Sequence, residues 1–218
     1  IKKIKILKPE LIHFHDPELI LLGIYLKIIG FKVIYDIHED VESQILSKFY
    51  IPKFYRGFIS LLVKNIESYA AKRFTGLITA TPFLHEKFHL KNKNTALVNN
   101  YPIINELSKS GDSTSKKNSI VFLGGITRIR GIENVVKSLS YTKSKLNLVG
   151  NFQEPKFKEY LMSTSNWEKV NYYGFCDRTK SAEILSKSFA GIVTFDYAKN
   201  HINSQPNKLF EYMSAGLP

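Results

Sequence analysis

Short apolar runs rich in Ile, Val, Leu and Tyr alternate along this chain with longer stretches whose apolar residues recur at helical spacing. The runs at 11–16, 32–38, 76–81, 95–99, 120–124, 146–149, 170–173 and 190–195 read as strands. Between them, 17–29, 52–74, 83–90, 156–162 and 181–188 read as helices. Ile132, Val135, Val136 and Leu139 add an i, i+3, i+4, i+7 helix. The 17–29 helix is apolar almost all round and closes at Gly30. Strand–helix alternation of this kind implies parallel sheets covered by helices on both faces, an α/β fold.

The pattern breaks once. From 105 to 118 the residues are mostly Ser, Lys, Asp, Gly and Asn, the composition of a loop or interdomain linker. Segments 1–104 and 119–218 then read as two Rossmann-like halves facing a cleft, with no short internal repeat. The chain starts without Met and stops where a further strand is expected after Pro218, so both halves read as partial. The final stretch, 206–218, has Pro at a helix start, Gly near its end and Pro beyond. On that helix Leu209, Phe210 and Met213 are expected to form the buried stripe, leaving Asn207, Lys208 and Glu211 on the opposite side. An amide, an amine and a carboxylate there could grip a polyol and a phosphate. Periodicity alone favours an ordinary surface helix with an i, i+3 charge pair.

Composition narrows the class. In 218 residues, 44% are hydrophobic and 23% charged, which suits a folded globular protein. A net charge of +12 points to an anionic partner: nucleic acid, a membrane surface or a phosphorylated small molecule. The Lys residues are scattered in ones and twos, unlike the basic stripes of nucleic-acid binders. The one cysteine, Cys176, excludes an internal disulfide and fits a reducing, cytoplasmic compartment. No apolar run is long enough to cross a bilayer and no signal peptide is visible.

Three strand exits carry candidate chemistry, since ligands of open α/β sheets bind beyond the carboxyl ends of strands. In the first, period-two alternation puts His13 and His15 on one face, with His15 and Asp16 at the exit. Catalytic imidazole, a structural hydrogen-bonded His and a metal pair are all open; the pair lacks an evident third ligand. The second, 35–40, gathers Asp36, His38, Glu39 and Asp40, suited to an acceptor hydroxyl or to capping the next helix. The third runs through Gly124, Gly125, Arg128, Arg130 and Gly131 into a helix. Glycines there allow close backbone approach, and the helix start and guanidinium groups favour a diphosphate. It matches neither a dinucleotide fingerprint nor a Walker loop. A plain Gly turn with solvated Arg is the alternative.

Together these stretches resemble the retaining GT-B glycosyltransferases of family four. The resemblance rests on His-x-His-Asp-Pro (13–17), Tyr-Asp-Ile-His-Glu (35–39), Ile-Thr-Ala-Thr-Pro (78–82) and Asn-Asn-Tyr-Pro (99–102). Further matches are the Gly-Gly…Arg-Gly loop (124–131), Leu-Val-Gly (148–150), Tyr-Gly-Phe (173–175) and the closing Phe-Glu-Tyr-Met-Ser-Ala-Gly-Leu-Pro (210–218). It implies sugar transfer from a UDP- or GDP-sugar to an acceptor hydroxyl with the anomeric configuration kept, without cofactor or metal. The setting it implies is cell-surface polysaccharide or glycolipid assembly. The second half would hold the donor and the first the acceptor, a saccharide or lipid-linked hydroxyl; no nucleic acid is implied.

Carried over by position, Glu211 would bind ribose and Arg130 the diphosphate, with Lys208 near the leaving group. Arg128 would compensate for Gly125, which stands where many members have Arg. Phe175 would lie near the base, and His15 near the reacting sugar, with Asp16 and His38 beside it. The family's second acid, eight residues before Glu211, is here Asn203. That substitution keeps a non-catalytic sugar-nucleotide-binding remnant in view; a sugar-nucleotide epimerase, which uses a similar donor cleft without an acceptor, is the other competing reading. The basic aromatic stretch 48–64 suits either the surface of an anionic membrane or the packing of a long helix.

Overall fold

A computed structural model describes residues 1–48, 50–103, 106–107, 118–197 and 199–218. It divides into two compact units, Ile1–Asn100 with Lys199–Ser204, and Tyr101–Ala198 with Gln205–Pro218. Most of the linker expected at 105–118 lies outside the described residues; within it, Leu107 is buried in the core of the second unit.

The first unit runs α1 (Lys2–Leu7), β1 (Leu11–Phe14), α2 (Ile20–Ile28), β2 (Lys32–Ile37), α3 (Val41–Ser47), α4 (Lys53–Arg73), β3 (Gly76–Thr79), α5 (Pro82–His89) and β4 (Thr95–Leu97). Its strands form a parallel sheet in the order β1-β2-β3-β4. The second runs β5 (Ser119–Leu123), α6 (Ile132–Ser138), β6 (Lys145–Val149), α7 (Pro155–Met162), β7 (Val170–Gly174), α8 (Arg178–Ser186) and β8 (Ala190–Gly191). The chain then visits the first unit as α9 (Lys199–Ile202) and returns as α10 (Asn207–Ser214). The second sheet, also parallel, has the order β7-β6-β5-β8. Strand order therefore reverses at β5, between β6 and β8, and in a Rossmann-like sheet ligands bind at that reversal.

Each sheet is sealed by helices. Val33, Tyr35, Leu77, Ala70, Ala71 and Phe88 are buried together in the first unit, and Ile132, Val136, Leu146, Leu148 and Phe157 in the second. Several expected elements shift in ways the backbone explains. The strand expected over 190–195 ends at Gly191; Ile192 N still donates to Val121 O of β5 at 2.9 Å, but from Thr194 the chain bonds elsewhere. Thr194 Oγ1 donates to Arg130 O at 2.8 Å and Asp196 N to Ile129 O at 2.9 Å.

The expected burial of α10 needs correction. Leu209 and Met213 are 47% and 63% exposed, whereas Glu211 and Tyr212 are buried. The Tyr212 ring packs where a side chain on Gly191 would stand, within 2.3 Å of a β-carbon built there. Its hydroxyl accepts from Leu123 N at 2.8 Å, so a residue with a polar end is satisfied in the core. Among the described residues, no helix is long and apolar enough to cross a membrane.

One buried acid gives the first unit a pH dependence. Glu67 on α4 sits under the sheet, accepting from the Tyr35 hydroxyl at 3.3 Å. Burial pushes its carboxyl up to about 7, against the pull of Lys87 and the Tyr35 hydrogen bond. The folded chain thus holds a proton that the unfolded chain has already released. Stability from this group is full below the unfolded value and is lost as pH rises through about 7. Glu67→Gln is expected to remove that slope and to be more stable than the parent above about pH 7, by on the order of 3 kcal/mol at most. Urea unfolding at about pH 5 and about pH 8 checks it.

Candidate functional site

At the sheet reversal of the second unit, β5 ends and the chain turns through Gly124 and Gly125. Gly124 has φ +143°, a conformation side chains rarely adopt, and its N–H donates to Val149 O at 2.9 Å. Arg130 Nη1 lies only 2.7 Å from where a Gly124 β-carbon would stand, and Lys208 Cε only 3.5 Å from it. Two cationic side chains, one from the loop after β5 and one from α10, therefore converge on a strand end bare of side chains. The Gln153 amide closes the far edge, 3.2 Å from a β-carbon built on Gly125.

The wall behind this turn is electrostatically tied. Glu211 is buried, and its two carboxylate oxygens take Arg178 Nη1 at 3.0 Å and Lys208 Nζ at 2.6 Å. A buried carboxylate requires such partners. The pairing also fixes Lys208 in its position near Gly124 and leaves Arg178 bridging onward to Glu106 at 3.6 Å. Arg178 itself begins α8, whose start is capped by Asp177 accepting from Lys180 N at 2.7 Å.

The first unit carries a second cluster at the carboxyl ends of β1 and β2. Asp36, nearly buried, is the hub. Its Oδ2 lies 3.4 Å from His13 Nε2 and 3.1 Å from His15 Nδ1, and its Oδ1 lies 3.2 Å from His38 Nε2. Asn100 Nδ2 lies 3.1 Å from His38 Nδ1 on the outer side. His15, Asp16 and His38 line a cavity of about 690 Å³ that also reaches Tyr35, Glu39 and Gln44. Asp40, by contrast, serves the fold. Lys87 Nζ at 2.6 Å and Ser43 Oγ at 2.5 Å hold its carboxyl below the usual range although burial opposes them.

Neither a protein-family model nor a curated protein sequence matches the chain. Solved structures do. The whole chain superposes on HepE of Anabaena in complex with UDP, with TM-score 0.75, 15% identity and 61% of that protein covered. It also superposes on sucrose-phosphate synthase of Thermosynechococcus elongatus, with TM-score 0.74, 18% identity and 57% of that protein covered. WaaG, a glycosyltransferase involved in lipopolysaccharide biosynthesis, matches 90% of the chain with TM-score 0.61, 14% identity and 61% of its own length covered. The fold is that of the GT-B glycosyltransferases. The chain spans about three fifths of the length of these relatives in structure.

On this GT-B framework, the residues singled out in the sequence fall into three groups. Gly124, Gly125, Arg130, Lys208 and Glu211 come together as described, and His15, Asp16 and His38 share one cavity. Arg128 does not join the first group. Its guanidinium pairs with Glu133 at 2.8 Å and lies over the Phe157 ring, 4.5 Å from the centroid. Asn203 belongs to the segment grouped with the first unit, while Phe175 and Asn207 are exposed in the second.

Three participants escaped sequence reasoning: Asp36 as a hub, Arg178 as the second partner of Glu211, and Tyr212 as a buried anchor. Only Asp36 had a signal, the match of its period-two position to His13 and His15 on the neighbouring strand. The other two act across sequence separations that no local pattern encodes.

Proposed function

We propose that the chain belongs to a retaining glycosyltransferase that moves a sugar from a nucleoside-diphosphate sugar to an acceptor hydroxyl. The observation that carries this reading is the convergence of Arg130 and Lys208 on the bare Gly124 turn at the sheet reversal. A diphosphate there meets backbone it can approach and two cations facing it. HepE, similar in fold, was solved with UDP and with UDP-glucose, which supports a UDP-sugar donor.

In the transfer, the bond from the anomeric carbon to the diphosphate breaks and a new bond to the acceptor oxygen forms on the same face. The acceptor proton passes to the leaving phosphate oxygen. Charge building on that diphosphate is stabilised by Arg130 and Lys208, which takes the place of a metal at this step. Glu211 holds ribose hydroxyls and fixes Lys208. Phe175 faces the base, and Asn207 offers its amide to donor hydroxyls. Arg128, engaged with Glu133, has no part at the diphosphate. His15, with Asp16 and His38, receives the acceptor hydroxyl.

Incubating the chain with labelled donor and candidate acceptors tests the reaction. A new glycosidic bond supports it. An altered free sugar nucleotide would mean an epimerase, and binding without turnover a sugar-nucleotide-binding remnant.

The acceptor is proposed to be a saccharide or lipid-linked hydroxyl presented at an anionic membrane on the cytoplasmic side. On α4, Phe54, Phe58, Leu61 and Leu62 recur at helical spacing in an exposed stripe, with Phe54 89% and Phe58 69% exposed. Lys53, Lys64 and Lys48 flank it, and Tyr50 and Tyr55 extend it; Phe49 lies outside the described residues. Apolar side chains edged by Lys fit the headgroup boundary of anionic lipid. Co-sedimentation with vesicles containing phosphatidylserine is expected, falling with salt and lost in the Phe54→Ser, Phe58→Ser double variant. Equal sedimentation with neutral and anionic vesicles contradicts it.

A further inference from the structure

The inner half of the cavity beside His15 and His38 has no part in the transfer just described. One face of α3 lines it: Val41, Gln44, Ile45 and Lys48 follow one another at i, i+3, i+4 and i+7. Ile59 and Val63, one turn apart on α4, line it too, with Ile51 from the bend between the two helices. Tyr35, Val41 and Ile45 are buried, and Ile51, Ile59 and Val63 are half-buried. At about 690 Å³ the space is of ligand size. Walls of this kind give water few hydrogen-bond partners and favour an apolar guest.

The polar lining groups come mainly from the strand exits: His15, Asp16 and Glu18 after β1, and His38 and Glu39 after β2. Among the described lining residues, three carboxylates stand against one lysine, Lys48, whose Nζ lies 5.7 Å from the Tyr50 ring centroid. Asp36 adds a further carboxylate, 3.1 Å from His15 Nδ1 and 3.2 Å from His38 Nε2. This excess of negative charge opposes an anionic head group.

We propose that the cavity holds the single hydrocarbon chain of an amphiphilic acceptor with an uncharged polyol head, whose hydroxyl meets His15 and His38. The proposal rests on the sugar-transfer reading and narrows it. A chain, and not a saccharide, fills the space between α3 and α4, and the head carries no phosphate. The surface of α4 supplies a route. At about 100° per residue, Val63, Ile59, Tyr55, Leu62, Phe58 and Phe54 follow one another around the helix in steps of about 20–40°. They lead from the cavity wall to the exposed apolar stripe, and over 54–63 no charged residue falls between them. A chain leaving a bilayer at that stripe reaches the cavity without crossing a charge.

Equilibrium dialysis of the full chain against radiolabelled 1-O-alkylglycerols, each below its critical micelle concentration, reads binding with no donor present. 1-O-octylglycerol is expected to bind about a hundredfold more tightly than 1-O-butylglycerol, since each buried methylene multiplies affinity by about three- to fourfold. Octyl phosphate is expected to bind about tenfold more weakly than 1-O-octylglycerol. Val63→Trp, which fills the cavity from α4, is expected to weaken octyl binding by about tenfold or more. If circular dichroism shows that variant unfolded, Ile59→Asp on the same wall carries the test with the same expected loss. Equal binding of the butyl and octyl compounds would overturn the proposal, as would tighter binding of octyl phosphate. So would binding that survives Val63→Trp but is lost in the Phe54→Ser, Phe58→Ser double variant, which would put the chain on the outer stripe. The same alcohols offered with labelled donor separate this proposal from the transfer reading. Glycosylation of glycerol and 1-O-octylglycerol with equal kcat/KM, without chain-dependent binding, would sink the cavity assignment and keep the transfer. Chain-dependent binding with no glycosylation of any alcohol would uphold the cavity assignment and tell against the transfer.

Discussion

Replacing Arg130 with Ala is expected to lower the rate of donor cleavage by about a hundredfold or more, and Lys208→Ala by a comparable factor. Each residue brings a positive charge to the Gly124 turn, where the proposed transfer would develop charge on the leaving diphosphate. Their environments differ, and so should their secondary effects. Among the described residues Arg130 is anchored through its backbone, where its carbonyl accepts from Thr194 at 2.8 Å, so its removal should leave the fold intact. Lys208 is also one of two cations on the buried Glu211 carboxylate. Removing it leaves Arg178 as the remaining partner and should cost stability by about 1–2 kcal/mol in addition to rate. The double variant should lose less than the product of the two factors, because both act on the same diphosphate. Initial rates of nucleotide release, paired with thermal unfolding of each variant, separate the two contributions. Arg128→Ala is the comparison, and a loss there equal to that of Arg130→Ala would mean that the loop presents a different arginine to the phosphates.

Gly150→Ala is expected to be among the most destabilising single substitutions in the second unit, by at least about 4 kcal/mol. Gly150 has φ +134°, and a β-carbon there would stand 1.8 Å from the carbonyl oxygen of Gly124. No rotamer change relieves a collision with backbone, so the strand ends at β5 and β6 must separate. Because Gly150 N also donates to Gly174 O at 2.7 Å, the shift would spread to the exit of β7. The same displacement moves Gly124 away from Arg130, so nucleotide affinity should fall with stability. Gly30→Ala is a useful contrast: its φ is +98° but nothing lies within 4 Å, leaving conformational strain alone. Chemical denaturation of both variants measures the difference.

Much of the architecture was legible because α/β alternation writes itself into hydrophobic spacing. The strands at 32–37, 76–79 and 145–149 and the long helix at 53–73 fall close to their expected places. The α3 helix escaped because its apolar residues, Val41 and Ile45, show one turn of periodicity and no more. The last strand was overestimated for a different reason. Val193 and Phe195 continue a β-like pattern, but the backbone there is captured by the arginine loop.

The site was half legible. Gly124, Arg130 and Lys208 announce themselves by residue type at a strand exit or helix start. The Glu211–Arg178 pair and the three imidazoles around Asp36 come from neighbouring parallel strands and helices, where adjacency in space is unrelated to adjacency in sequence. The α10 helix shows the limit of periodicity most clearly. An apolar stripe was present, but the tertiary contacts favoured a tyrosine with a satisfied hydroxyl and a glutamate with two cations.

On the proposed reading, the Gly124 turn, Arg130 and Lys208 form a nucleotide-sugar site. Thermal unfolding of the chain across a concentration series of UDP- and GDP-sugars decides it, since a ligand at about a hundred times its Kd stabilises the fold by about 2.7 kcal/mol. A saturable rise in Tm is expected with at least one nucleotide sugar, moved to about a hundredfold higher concentration by Arg130→Ala and unaffected by Arg128→Ala. No rise with any nucleotide sugar, or an identical rise in Arg130→Ala and Lys208→Ala, would contradict it.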